Sequence, residues 1–273
     1  MDDRKNVLIT GGTSGIGKAC AEYFARNGYL VYAASRGASG EPVPFDGGGE
    51  IRGVKMDVRD EASVEAAVGQ VIADAGRIDI VIHCAGMGIA GAAEDTPMDA
   101  AAAQIDTNYF GVLRVNKHVL PHMRENGGGH VIMIGSVAGI FAIPFQSHYS
   151  SSKFAVDAYA AALRMETKQY GIRVSLVAPG DTRTGFTAAR VYECAEDSVY
   201  HDVCLRSVAK MEKDERNGRD PISCARVIYK LAREKNPPFR VIVGFEYKLM
   251  AFAKRLLPNR LVESVLGSMY IPK

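Results

Sequence analysis

A hydroxyl, a phenol and an amine fall within one short stretch, Ser136 to Lys153, SVAGIFAIPFQSHYSSSK. If the chain is helical after Ser147, Tyr149 and Lys153 stand one turn apart on a single helix face, where an ammonium can sit near a phenol. A phenol is almost fully protonated at neutral pH. A nearby positive charge favours the phenolate and lowers its pKa toward the range of a general acid or base. Ser136, earlier in the same stretch, is placed to hold a substrate oxygen beside the phenol. The pair Tyr-x-x-x-Lys is weak evidence by itself in a chain with 12 tyrosines, because an ordinary surface pair reads the same way. The elements around it must decide.

The chain has 273 residues, 47% hydrophobic and 23% charged, which suits a single globular α/β domain spanning 1–273. A net charge of +2 leaves no electrostatic footprint for nucleic acid. The start, MDDRKNVLIT, lacks the features of a secretory signal, and no apolar run is long enough for a transmembrane segment, so a cytoplasmic protein is expected. Five cysteines, Cys20, Cys84, Cys194, Cys204 and Cys224, show no metal-ligand spacing and suggest neither a disulfide framework nor a metal site.

Short apolar runs alternate with amphipathic or Ala-rich segments. NVLIT, YLVYAAS, VKMDV, IDIVIHCAG, HVIMIGS, IRVSLVAP and FRVIVG read as buried strands. Residues near 16–27, 60–75, 97–124, 148–170 and 221–235 read as helices. Repeated βαβ implies a parallel sheet covered on both faces, with ligands beyond the carboxyl ends of the strands. The Gly- and Pro-rich stretch 37–53 predicts an irregular loop in place of one crossover helix.

After the first strand comes TGGTSGIG, Thr10 to Gly17. Gly11, Gly15 and Gly17 permit a tight turn, so that the backbone around Thr13, Ser14 and Ile16 can approach a pyrophosphate at a helix N-terminus. The second strand ends at Ser35 and Arg36, without the carboxylate that would bind ribose hydroxyls. Arg36 instead offers a fork of donors to a 2′-phosphate, which favours NADP(H) over NAD(H). Lys18 can assist or can lie on the helix surface. Asp57 is placed to accept from an adenine amino group, the plain alternative being a turn-forming Asp.

Taken together these residues resemble the short-chain dehydrogenase/reductase family over nearly the full chain. Thr10 to Gly17 match T-G-x-x-x-G-x-G, and Asp57 with Val58 match the adenine-site pair. Asn108, Ser136, Tyr149 and Lys153 match the catalytic tetrad, and Pro179-Gly180 the Pro-Gly after the sixth strand. The resemblance implies a three-layer doubly wound parallel sheet of about seven strands, the Rossmann fold, and an NADP-dependent oxidoreductase interconverting a ketone and a secondary alcohol. Tyr149 would exchange the oxygen's proton and Ser136 bond the same oxygen. Lys153 would hold the nicotinamide ribose and lower the Tyr149 pKa, and Asn108 would bend its helix and anchor a water. Thr182 and Thr184 are candidates for the carboxamide, surface threonines being the alternative. One departure stands out: His83, Cys84, Ala85, Gly86 replace Asn-Asn-Ala-Gly. Ala85 and Gly86 keep the small residues at the cofactor, while adjacent His83 and Cys84 should face opposite sides of the sheet.

The substrate is less constrained. Ile140, Phe141, Ile143, Pro144 and Phe145, with Met87 and Ile89, either line an apolar mouth or pack the loop onto the sheet. The stretch also resembles the 17β-hydroxysteroid and retinol dehydrogenase group, which implies a bulky hydrophobic or steroid-like carbonyl or alcohol. Residues 181–217 are expected to close over the substrate, and 245–273 to form a basic amphipathic extension that covers the mouth, meets a second subunit or touches a membrane surface. The resemblance implies a homodimer or homotetramer assembled through the helices bearing Asn108 and Tyr149. A sensor or scaffold that binds NADP(H) without turnover is the competing class, and it would not need Ser136, Tyr149 and Lys153 together; a reductase of a smaller carbonyl or acyl substrate is a second alternative.

Overall fold

The computed structural model describes residues 4–38 and 40–271. Its strands are β1 (Asn6–Thr10), β2 (Leu30–Ser35), β3 (Val43–Pro44), β4 (Glu50–Lys55), β5 (Ile80–His83), β6 (Ile89–Gly91), β7 (Gly129–Ile134), β8 (Ile172–Pro179), β9 (Val191–Glu193) and β10 (Arg240–Val243). The helices are α1 (Gly15–Arg26), α2 (Glu61–Ala75), α3 (Met98–Ile105), α4 (Gly111–Glu125), α5 (Ser147–Thr167), α6 (His201–Arg216), α7 (Pro221–Arg233), α8 (Phe245–Leu256) and α9 (Asn259–Tyr270).

The main sheet runs β10-β8-β7-β5-β1-β2-β4-β3, every neighbouring pair parallel except β3 with β4. It is the doubly wound sheet that the alternating pattern implies. Because both faces are covered, the central strand β1 is buried at every position rather than at alternate ones. One face carries Leu8, Tyr32, Met133 and Leu176 against α2, α4 and α5; the other carries Ile9, Ile82 and Ile132 against Phe24 of α1 and Ile228 of α7. Phe24, Ile132 and Ile228 are fully buried, each side chain contributing about 1.5–3 kcal/mol of transfer free energy.

Four features differ from the sequence expectation. The strand expected at VKMDV starts earlier, at Glu50, and ends at Lys55, so Asp57 lies in the turn beyond it. The expected helix over 97–124 is interrupted at Asp106–Phe110 by a wide π turn holding Asn108. The π turn is where the Asn108 side chain reaches across to the main chain of Met87. Residues 181–217 contain β9, which pairs with β6 as a separate two-stranded sheet, and α6. Finally, Cys194 and Cys204 are joined as a disulfide, contrary to the expectation of none. Their separation of ten residues is no recognisable motif; the chain turn between β9 and α6 brings the two Cα atoms to 6.2 Å.

Candidate active site

The carboxyl ends of β1, β5, β7 and β8 deliver the candidate residues to one cleft. Gly11 adopts φ +65°, and an added Cβ there would stand 2.9 Å from Ala85 Cα; at Gly17 it would stand 2.2 Å from the Gly11 carbonyl oxygen. Only glycine allows that turn and that approach. The Ala85 amide donates to Thr10 Oγ1 at 3.2 Å, tying the ends of β1 and β5. Ser14 precedes α1 in extended conformation and makes no side-chain capping bond, so the opening turn keeps amides for an anion. Thr13 and Ser14 are exposed, Ile16 half-buried. Thr184 approaches this loop from the far side, its Cβ 3.4 Å from where a Cβ of Gly15 would be, while the Thr182 hydroxyl donates back to Gly180 at 2.9 Å. Pro179 closes β8 just before that turn.

At the other end of the cleft Arg36 is exposed beyond β2. Asp57 is not a free acceptor: Arg59 donates to it from Nε at 3.0 Å and from Nη2 at 2.7 Å. Those bonds, opposed by burial and aided by the charge of Arg36, hold the carboxyl down at about 2. Arg59 thus brings a second guanidinium to this end, and the sequence reading passed over it; its only sequence signal is the Asp-x-Arg spacing. Val58 is buried against Gly111. Lys18 lies on the outer face of α1, 3.9 Å from Glu22.

α5 carries Tyr149 and Lys153 on one face. The Ser136 hydroxyl accepts from the Ala138 amide at 3.0 Å and acts on the Tyr149 phenol, pulling its pKa down. Lys153 donates to the Ile134 carbonyl at 2.9 Å, and its Nζ lies 5.7 Å from the Tyr149 ring centroid. Asn108 is buried: its Oδ1 accepts from the Met87 amide at 2.8 Å, and its Nδ2 donates to the Met87 carbonyl and to Ser152 Oγ, both at 3.0 Å. Gly86 lies between Asn108 and Lys153, a Cβ there falling 3.3 Å from Asn108 Oδ1 and 4.0 Å from Lys153 Nζ.

The electrostatics reverse one expectation. Burial pushes the Tyr149 phenol up to about 12, with the Ser136 hydroxyl and Arg190 pulling down and Glu215 pushing up. Burial also brings Lys153 down to about 8, against a small opposing effect of Cys84. The amine therefore gives up its proton first, and no ammonium remains when the phenol titrates. In the protein without a dinucleotide, Lys153 does not lower Tyr149 as the helix spacing suggested. Burial outweighs the pairing.

Phe186, Arg190 and Glu215 come from the 181–217 segment and were not singled out by sequence. The Phe186 ring lies 5.6 Å from the Tyr149 ring, and Arg190 pairs with Glu215 beside it. Of the apolar wall, Ile140, Ile143, Pro144, Phe145 and Met87 keep open surface, whereas Phe141 and Ile89 are buried and pack the loop.

His83 and Cys84 face opposite sides. His83 Nε2 meets Asn116 Oδ1 at 2.9 Å, and Asn116 Nδ2 donates to the Tyr159 hydroxyl at 3.3 Å, linking β5 to α4 and α5. Cys84 packs against the apolar cluster that includes Cys20 of α1. Burial holds His83 down to about 4. The folded state then binds its proton only below that value, while the unfolded imidazole binds one near 6.5. Stability from this group is complete above the unfolded value and falls as pH drops through the window between them. Urea unfolding should show about 2 kcal/mol lost from this site by pH 5. His83→Asn, a neutral partner for Asn116, should flatten that part of the curve; an unchanged slope would remove His83 from the acid response.

The chain belongs to the short-chain dehydrogenase family, whose model matches residues 5–194. It is 41% identical over 267 residues to a 3-ketodihydrosphingosine reductase of Bacteroides thetaiotaomicron, covering 97% of each chain. It is 29% identical over 286 residues to retinol dehydrogenase 8 of Bos taurus, covering 99% of this chain and 89% of that one. Among solved structures, a short chain dehydrogenase/reductase from Burkholderia phymatum in complex with NAD superposes with TM-score 0.80 at 22% identity, covering 93% of this chain and 94% of that chain. ElxO with NADP bound superposes with TM-score 0.72 at 25% identity, covering 90% and 99%. The chain is therefore an oxidoreductase of the CH–OH/C=O class, of a family that uses a nicotinamide dinucleotide.

Proposed function

We propose that this protein is an NADP(H)-dependent reductase of a bulky hydrophobic ketone, a long-chain ketone of the 3-ketodihydrosphingosine kind being its leading substrate. The observation that carries the reading is the Tyr149 ring 5.7 Å from Lys153 Nζ, with the Ser136 hydroxyl acting on its phenol, opening on the half-exposed apolar wall of Ile140, Ile143, Phe145 and Met87. The 41% identity to the 3-ketodihydrosphingosine reductase over almost the whole of both chains supports the long-chain substrate.

The residues present fit a dinucleotide. Gly11, Gly15 and Gly17 leave a cradle that side chains would fill, and Ala85 and Gly86 continue it toward Lys153. Arg36 and Arg59 at the far end, with no carboxylate closing β2, favour the 2′-phosphorylated form. When bound, the nicotinamide supplies the hydride for the carbonyl carbon. Tyr149 gives its proton to the carbonyl oxygen, and Ser136 holds that oxygen, so two donors converge where charge develops. Lys153, near 8, is matched to return a proton to the phenol at neutral pH. Asn108 fixes the Met87 backbone and Ser152, which keeps the π turn and α5 in register.

A substrate screen following NADPH oxidation tests this reading. Long-chain 3-keto amines and ketosteroids should exceed small polar ketones in kcat/KM by about tenfold or more, since each buried methylene contributes about 0.8 kcal/mol. A preference for sugars would discard the apolar substrate.

A further inference from the structure

The helices α8 and α9 carry an apolar stripe that the described chain leaves in solvent. Phe245, Leu249, Phe252 and Leu256 recur at helical spacing and are 77, 58, 60 and 71% exposed. Beyond Pro258, Leu261 and Val265 continue it on α9 at 47 and 45%, and neither helix has a buried residue. Such a stripe exceeds scattered surface apolar residues and marks an interaction face.

The inner side of α8 is fastened to the site. Tyr247 donates to an Asp181 carboxylate oxygen at 2.5 Å and lies on Gly180, where a Cβ would come within 2.0 Å of its ring. Lys254 donates to the Ile140 carbonyl and stands 5.3 Å from the Phe141 ring centroid and 5.7 Å from that of Phe154. The helix therefore bridges the turn after Pro179 and the loop between Ser136 and Tyr149, with its apolar stripe outward beside the mouth of the cleft.

Charge indicates what covers the stripe. Lys248 and Arg255 are exposed and, one turn of helix geometry at a time, fall along the same edge of it; Arg260 is exposed at the start of α9. Of the carboxylates on these helices, Glu246 is already taken by Arg219 at 2.8 Å, and Glu263, exposed on α9, falls on the side of that helix opposite Leu261 and Val265. A second copy seated on the stripe would gather these cations from both chains, with neither of those carboxylates on the stripe's face to answer them. Lipid phosphates would answer them, with the long basic side chains reaching up to the headgroups as the apolar residues enter the acyl boundary.

We propose that α8 and α9 dock on an anionic lipid surface through Phe245, Leu249, Phe252, Leu256, Leu261 and Val265, flanked by Lys248 and Arg255. Docking sets the apolar mouth against the bilayer, from which a long-chain ketone enters. The inference draws on the long-chain substrate for what enters, but vesicle binding is measured without ketone or dinucleotide, so either idea can fail alone.

The experiment is co-sedimentation of the full chain with vesicles of phosphatidylglycerol and phosphatidylcholine, against vesicles of phosphatidylcholine only. The chain should partition to the anionic vesicles, less so as salt rises. L249E/F252E/L256E should lower the partition at least tenfold and K248E/R255E several-fold, both keeping NADPH-linked turnover of a short soluble ketone. The charge reversal, confined to exposed positions, covers the case in which the triple variant fails to fold. Equal binding by wild type and K248E/R255E, or none to either vesicle, would overturn the proposal. So would sedimentation velocity in which wild type is an oligomer and the triple variant a monomer, because a second copy would then be the occupant.

Discussion

Tyr149→Phe should keep dinucleotide affinity within about twofold while lowering ketone turnover by about 10²–10⁴, the usual contribution of a positioned general acid. The change removes one oxygen and leaves the ring, which stays against Phe186 at 5.6 Å and beneath Lys153 at 5.7 Å. Binding and chemistry should therefore separate, with NADPH titrated by fluorescence and turnover followed at saturating ketone. A variant that turns over near the wild-type rate would take Tyr149 out of the mechanism. The same experiment has a pH arm. With Lys153 brought down to about 8 by burial, wild-type ketone reduction should hold below that value and decline above it, as the amine loses the proton it returns to the phenol. The macroscopic value will belong to the coupled pair once dinucleotide phosphates are nearby.

Arg36→Leu should weaken NADPH by about 10–100-fold and leave NADH nearly unchanged, the loss expected for charge-assisted hydrogen bonds to a phosphate at an exposed site. Arg59 is only a partial substitute, because its Nε–Nη2 edge is held by Asp57 and Nη1 alone lies outside that pair. Calorimetry on the wild type with each dinucleotide is the first measurement. Equal affinities for NADPH and NADH there would remove Arg36 as the discriminating residue.

The site was legible in the sequence where chemistry needs residue types at short separations. Tyr149 and Lys153 share a helix face because α5 is continuous from Ser147, and Thr10 to Gly17 had to be a tight turn because its glycines stand between a buried strand and a helix. The alternation of apolar runs and helices likewise sufficed for the parallel sheet. Legibility ended where distant segments meet. Phe186, Arg190 and Glu215 reach Tyr149 from a stretch whose charge-rich composition read only as a variable cover, and Cys194 meets Cys204 across a turn with no spacing rule.

What the amino-acid order determined alone was the order of the elements and the short-range pairs, because strand and helix periods and turn chemistry act over a few residues. Tertiary structure alone decided the charge states. Helix spacing put an amine near a phenol and so predicted a lowered Tyr149, yet burial between β7, α5 and the 181–217 segment raised the phenol and lowered the amine. Desolvation depends on everything packed around a group, and that is assembled from parts of the chain too far apart for any local pattern to record.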